Sequence, residues 1–555
     1  LVSQSDVCES TANSVLPFFN RGEDGLSFTN GTLRLGKLSL FSTAIWMLLA
    51  HLYRWVHVTS ASHDSLMILQ HDAGWEISLG RFLQPVYTAV RGEVVAPLLI
   101  GVISIIFLAL TVVFVCRILD LRSTLSIVLL SGFLSTNATI ALHNATYIFS
   151  LDMCMLTCLL GALSVYWCIR YRFGFLLGIL CTVSILAIAP SYIAFSVTLA
   201  LLYFVRVSLR GHELPGVLIT GIKYLILLMA GAVLYIVVFP LVQDATGYHS
   251  SSYLGFSSMG DFTGVSIPNL LLETYLMPFA YMARPETHAT NVVSIVNGAI
   301  LLLTIVGYIR FCICEKASKV RIVLPLVFIA LLPLGANCVC FVSKGTMHGV
   351  MIFSYYLLYA LPLMVLEFNL RLPSSPRELH SKEGTKTRRK RASTVLAKCI
   401  SMILVAIIFS SNIIYANQIY VKKDLEATAT LSIMTRIMGR VESIEGYDPG
   451  VTPVAFVGCL ENSEAYSQSL KDFPPDSEGS QLKGTGLTEG AYSVTYPSTY
   501  RMYLGTVLNE PINLIDDAES AEIAKKPSVE AMPAFPAIAS CQMVDGVVVV
   551  KLSDE

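Results

Sequence analysis

The sequence predicts an all-α polytopic membrane bundle of about eleven transmembrane helices, followed by a small C-terminal extracytoplasmic α/β domain. Three observations lead there. Of 555 residues, 54% are hydrophobic and only 14% are charged, whereas soluble domains carry roughly 25% charged residues. Apolar runs of about 18–25 residues recur along the chain, and each can cross about 30 Å of hydrocarbon as a helix. Charge is also divided unevenly. Residues 417–555 hold 10 Lys+Arg and 20 Asp+Glu, the remainder holds 28 and 19, and the net charge is −1.

Residues 1–37 form a polar segment closing with Arg34 and Lys37, and the first span follows at 38–58. A polar stretch, 59–93, separates it from a second span at 94–116 that ends near Arg117 and Arg122. Further spans are expected at 123–141, 151–169, 173–189, 191–207 and 218–240. A polar segment, 241–290, precedes spans at 291–310, 322–341 and 349–367. Residues 371–398, with nine Lys+Arg including the run TKTRRKR, lead into the last span at 399–416. The basic clusters lie before the first span and after spans two, four, six, eight and ten. By the positive-inside rule the N-terminus is cytoplasmic and 59–93, 241–290 and 417–555 lie outside.

In the acidic C-terminal segment, VAFVG at 454–458 reads as a buried strand. Residues 542–552 read as a hairpin turning at Asp545-Gly546, and 419–444 and 515–526 have helical periodicity. Cys459 and Cys541 stand alone there, and a disulfide between them suits an oxidising compartment. The other cysteines fall mostly within apolar runs, where they act as small core residues. CxC pairs at Cys312/Cys314 and Cys338/Cys340 lack the spacing of a zinc site.

The stretch 62–87, SHDSLMILQHDAGWEISLGRFLQPVY, places His63, Asp64, His71, Asp72, Glu76 and Arg81 between two spans. A carboxylate beside low-dielectric surroundings has its pKa raised toward that of a general base, and an arginine can hold a phosphate bidentately. Trp75 suits an interfacial anchor. From the residues alone, a solvated loop with a Trp anchor is the favoured reading.

Resemblance decides between them. SHDSL, WEISLGRFLQPVY and RGEVVAPLLIGVIS resemble the start of the bacterial glucosyl transferase II-type family of polytopic enzymes, which are GT-C-like. The likeness continues in NATYIFSLD (144–152), APSYIAF (189–195), MHGVMIFSYYLL (347–358) and MPAFPAIASCQMVDGVVVVKLS (532–553). At Ala189-Pro190-Ser191 the chain departs from the tyrosine-glutamine step of relatives.

The resemblance implies a membrane glycosyltransferase of the bacterial cytoplasmic membrane. It would move a hexosyl group, glucose, from a polyprenyl-phosphate-sugar donor to an extracytoplasmic glycan or lipid-linked acceptor, inverting the anomeric centre. It further implies Asp64 as general base with Asp72 as runner-up, and Arg81 and Arg284 on the donor phosphate. Trp75, Tyr147, Asp152 and His348 would meet substrate. Asp244, His249, Glu273, Arg284 and Glu286 are unranked candidates for the acceptor sugar. No cofactor is required by this scheme; a divalent metal between two acidic groups is the alternative. Membrane lipid is an expected partner and nucleic acid is not. The rival classes are a lipid or polysaccharide transporter, for which no inverted repeat is visible, and a non-catalytic membrane scaffold. The sequons at Asn30, Asn137 and Asn144 are expected to be fortuitous.

Overall fold

The computed structural model describes residues 30–57, 73–212, 214–251, 262–371, 383–458 and 503–554. The first half of the bundle begins with α1 (Asn30–Val56), followed by two short helices, α2 (Ala73–Ser78) and α3 (Gln84–Arg91). Then come α4 (Pro97–Leu119), α5 (Thr124–Ser135), α6 (Ala138–Thr146), α7 (Leu151–Arg170), α8 (Gly174–Ile188) and α9 (Ile193–Leu209). The second half holds α10 (Leu214–Thr246), α11 (Ile267–Ala283), α12 (Thr290–Cys314) and α13 (Lys319–Ala336). It closes with α14 (Cys338–Val342), α15 (Phe353–Leu357), α16 (Ala360–Arg371) and the 60-residue α17 (Glu383–Glu442).

Among the described residues, ten helical segments are long and apolar enough to cross a membrane. They fall where spans were expected, save the fifth, which is α8, apolar but only 15 residues long. The segment 241–290 holds more regular structure than its polarity suggests: α10 runs on to Thr246 and α11 adds 17 residues. The third span is two helices joined at an internal cap. Ser123 opens α5 by accepting from the Ser126 amide at 3.1 Å, and Asn137 opens α6 by accepting from Ile140 N at 3.0 Å.

The core lies where α6, α7 and α9 meet their neighbours. All nine residues of α6 are buried. Helix α7 packs against α4 and α8, and α9 packs against α13. Several polar groups buried in the bundle pair across helices, as burial favours: Ser39 donates to the Ala109 carbonyl at 2.7 Å, and Ser42 to Ser131 at 2.8 Å. Asn144 accepts from the Trp55 indole at 2.7 Å. Asn137 and Asn144 are fully buried, so neither sequon can carry a glycan. At the opposite end of the bundle Asp120 binds Arg122, Arg210 and Arg371, tying the α4–α5 turn to the ends of α9 and α16.

No glycine or proline interrupts residues 385–438, so α17 continues for about 90 Å from membrane span into the C-terminal domain. There β1 (Pro453–Val457) and β2 (Asn513–Leu514) precede α18 (Asp517–Ala524), α19 (Pro527–Glu530), β3 (Cys541–Val544) and β4 (Val547–Lys551). The sheet order is β2-β1-β4-β3, with β1 parallel to β2 and β4, and β3–β4 an antiparallel hairpin. Asp545 and Gly546 turn the hairpin with φ of 52° and 81°, the left-handed pair such a tight turn needs. Met434, Ile437, Met438 and Val441 of α17 pack on Val454, Phe456, Val548 and Val550. Arg440 donates to the Pro536 and Ala537 carbonyls, both at 2.8 Å. Cys541 is partly buried in β3; its expected partner Cys459 lies outside the described residues.

Candidate active site

The loop that follows α1 is anchored before it reaches α4. Helix α8 ends ahead of Pro190, leaving its last carbonyls without helical partners. Two of them accept from this loop: Ala187 O from the Leu83 amide at 3.0 Å, and Ile188 O from the Gln84 side chain at 2.6 Å. Tyr235 of α10 donates to Gly80 O at 3.1 Å. The APSY corner thereby fixes the position of α2 and α3. It also supplies Tyr192, whose hydroxyl meets His143 Nε2 at 3.0 Å.

Two ion pairs organise this surface. Arg81 meets Glu76 at 3.2 Å; the Glu76 carboxylate is buried while the guanidinium is partly open. Arg91 meets Asp152 at 2.9 Å with both side chains buried, and also donates to the Phe149 carbonyl at 2.7 Å. Tyr87 donates to the second Asp152 oxygen at 2.9 Å. Asp152 is thus fully engaged within the protein and clamps α3 to the start of α7. Tyr147 caps the end of α6, its ring against His143 and Phe149. Trp75 is exposed on α2.

Helix α6 connects this surface to a second one. On one side, Arg81 lies close enough to act electrostatically on His143. On the other, His143 Nε2 approaches the Val350 carbonyl at 3.2 Å, and Thr139 donates to the Gly349 carbonyl at 2.7 Å. Gly349 sits against Glu286: a β-carbon there would lie 3.4 Å from Glu286 Oε2 and 2.3 Å from Leu142. Glu286 Oε2 and His348 Nε2 are both buried without a hydrogen-bond partner. Burial pushes the Glu286 carboxyl up to about 7. Its charge acts on Tyr281, Tyr356 and Tyr415, which approach from α11, α15 and α17.

Of the five candidates in 241–290, Glu286 is the one withdrawn from solvent. Asp244, His249, Glu273 and Arg284 are all exposed. Asp64 and Asp72 lie outside the described residues, as do His63 and His71. Among the described residues no group of three His, Cys, Asp or Glu side chains is arranged to hold a metal ion. Sequence reasoning passed over His51 and Arg54 of α1. His51 bonds the Tyr420 hydroxyl at 2.7 Å, and Arg54 donates to the Asn144 carbonyl at 2.9 Å. Ionisable groups inside an apolar span were the available signal.

These features define a polytopic membrane protein whose buried charged and hydroxyl groups converge around α6 at one end of the bundle. A sequence model of the family described as Glucosyl transferase GtrII matches residues 57–366. That is more than half of the chain, which belongs to this family of glucosyltransferases. The match takes in α2, α3, α6 and Glu286. No curated protein and no solved structure matches the chain.

Proposed function

We propose that the protein transfers a glucosyl group from a polyprenyl-phosphate-glucose donor to an extracytoplasmic glycan or lipid-linked acceptor. The observation that carries the reading is the family match over 57–366, which contains the anchored loop and its Arg81. In this reading the protein lies in a bacterial cytoplasmic membrane, its N-terminus is cytoplasmic, and the C-terminal domain faces outward. Asp64 takes the proton of the acceptor hydroxyl as that oxygen attacks the anomeric carbon. The new carbon–oxygen bond forms while the bond to phosphate breaks, and polyprenyl phosphate leaves with the bonding pair. One displacement inverts the anomeric centre.

Arg81 stabilises the leaving phosphate, with Arg284 as a second cation at the membrane surface. Asp72 stands as the alternative base. Trp75 and Tyr147 offer ring faces to substrate, and His348 an unpaired ring nitrogen. Asp152 acts through Arg91 and Tyr87, holding α3 beneath the site.

The test is product formation by purified protein from a defined polyprenyl-phosphate-glucose, alongside donor binding. Asp64→Asn should lower transfer by about 10²–10⁴ while donor binding persists. Arg81→Lys keeps the charge but loses the planar fork, so binding and transfer should fall together. Near-normal transfer by Asp64→Asn would move the base to Asp72. Absence of transfer by the unmutated protein, with movement of the lipid between leaflets, would replace the enzyme reading by a transporter.

A further inference from the structure

Glu286, His348 and Tyr415 each present a buried polar atom, Oε2, Nε2 and the phenol oxygen, that has no hydrogen-bond partner. Leaving such atoms unpaired is costly, on the order of 1–3 kcal/mol each. Three of them on facing elements point to a ligand that completes them.

Their placement is consistent. Glu286 lies in the α11–α12 connection with Oε2 against Gly349, and His348 is the next residue back along that strand of chain. Tyr415 packs on Ala138, Ala141 and Leu142 of α6, the same leucine that touches Gly349. Tyr281 and Tyr356 add a pair of hydroxyls 2.5 Å apart. Gly349 lets the backbone pass close to the carboxyl, where a side chain would collide with Leu142.

The chemistry narrows the ligand. The Glu286 carboxylate, when ionised, repels phosphate, and the described residues form no cluster suited to a metal ion. A neutral ring bearing several hydroxyls, each able to donate and accept, satisfies a carboxyl, an imidazole and phenols together. The route through His143 to Arg81 puts a phosphate site next to this one, the arrangement a glycosyl phosphate requires. We propose that Glu286, His348 and Tyr415 form the subsite that reads the hydroxyls of the donor's hexosyl ring. This rests on the glucosyltransferase reading and names where its sugar is held.

The experiment compares binding of polyprenyl-phosphate-glucose with that of the same polyprenyl phosphate lacking sugar, using purified full-length protein. Glucose should tighten binding to the unmutated protein at least about 10-fold, since each added hydrogen bond contributes about 2–10-fold. Tyr415→Phe and Glu286→Gln, both nearly isosteric, should each lose at least about 3-fold of that gain while the sugarless lipid binds as before. Three results would overturn the proposal: no gain from glucose in the unmutated protein; equal weakening of both lipids in the variants; or an effect confined to a free acceptor oligosaccharide. Because the readout is binding, a protein that shows the glucose gain yet transfers nothing refutes the proposed reaction and leaves this subsite standing.

Discussion

The helices at the edge of the bundle are more apolar than those at its centre, and the two solve different problems. In the most apolar windows of segments 124–146, 148–170 and 190–209, 89%, 83% and 78% of residues are buried, against 11% in both 214–246 and 290–314. The central segments carry His143, Asn144 and Asp152, each with partners on other helices. The edge helices turn Leu225, Ile236, Ile295 and Leu302 outward. Lipid tails are as apolar as leucine, so the edge gains little from burial, whereas the centre is held by packing and hydrogen bonds. The edge is the more apolar of the two, and the centre is marked by its partnered polar residues.

The contrast breaks most visibly at the Arg91–Asp152 pair. Asp152→Ala would leave a buried guanidinium uncompensated, at a cost of about 3–5 kcal/mol. Ile236→Ala, on the outer face of α10, should stay within about 0.5 kcal/mol. Thermal unfolding in detergent measures both. Similar losses from the two variants would mean that the edge is as tightly coupled as the centre.

That pair also marks where sequence reading stops. Spans were legible because length and hydropathy act locally, and the C-terminal hairpin because Asp545-Gly546 allows few other conformations. The partner of Asp152 was not legible, since Arg91 and Tyr87 lie some sixty residues away and meet it only when α3 folds back on α7. Glu286 stood unranked beside Asp244, His249, Glu273 and Arg284 for the same reason. Its burial is produced by α6 and Gly349, and nothing in the residues around it signals this. The long α17 was read as a span and a separate helix because polarity changes near Lys422, although the backbone has no reason to stop there.

Next in size are two glycines at central contacts. A β-carbon on Gly132 would lie 2.2 Å from the Phe409 ring, and one on Gly101 would lie 2.4 Å from Trp55. Neither ring can give way easily. Phe409 is packed edge-on against Trp46 and Phe133, and Trp55 is pinned by its bond to Asn144. Alanine at either position should destabilise by about 1–3 kcal/mol. An unchanged melting temperature for Gly101→Ala would show that α1 and α4 can separate without loss.

A smaller effect, set by pH, comes from Glu286. Its folded pKa of about 7 is above the ordinary 4.5. The folded protein therefore holds this proton more tightly than the unfolded chain does. The resulting stability is complete below about 4.5 and is lost as pH rises through about 7. The titratable groups facing it are Tyr281, Tyr356 and Tyr415, with His348 beside Gly349. Glu286→Gln should remove a pH-dependent loss on the order of 1 kcal/mol, after screening at the open edge of the site. The measurement is melting temperature at pH 5.5 and 8 for both proteins; parallel curves would show that Glu286 is not held in a desolvated setting.

The smallest effect should have the opposite sign. Gly298 lies on the exposed face of α12, and a β-carbon there meets nothing within 4 Å. Alanine at this position adds no contact and meets no obstacle, so its consequence lies in the backbone. Glycine loses more conformational freedom than alanine when a helix forms, and Gly298→Ala should stabilise by about 0.4–1 kcal/mol. The same substitution thus destabilises at Gly101 and Gly132 and stabilises at Gly298. The sign is decided by whether another helix occupies the space. A measurable loss for Gly298→Ala would mean that something other than lipid lies against this face of α12, and the division between centre and edge would have to be redrawn to include it.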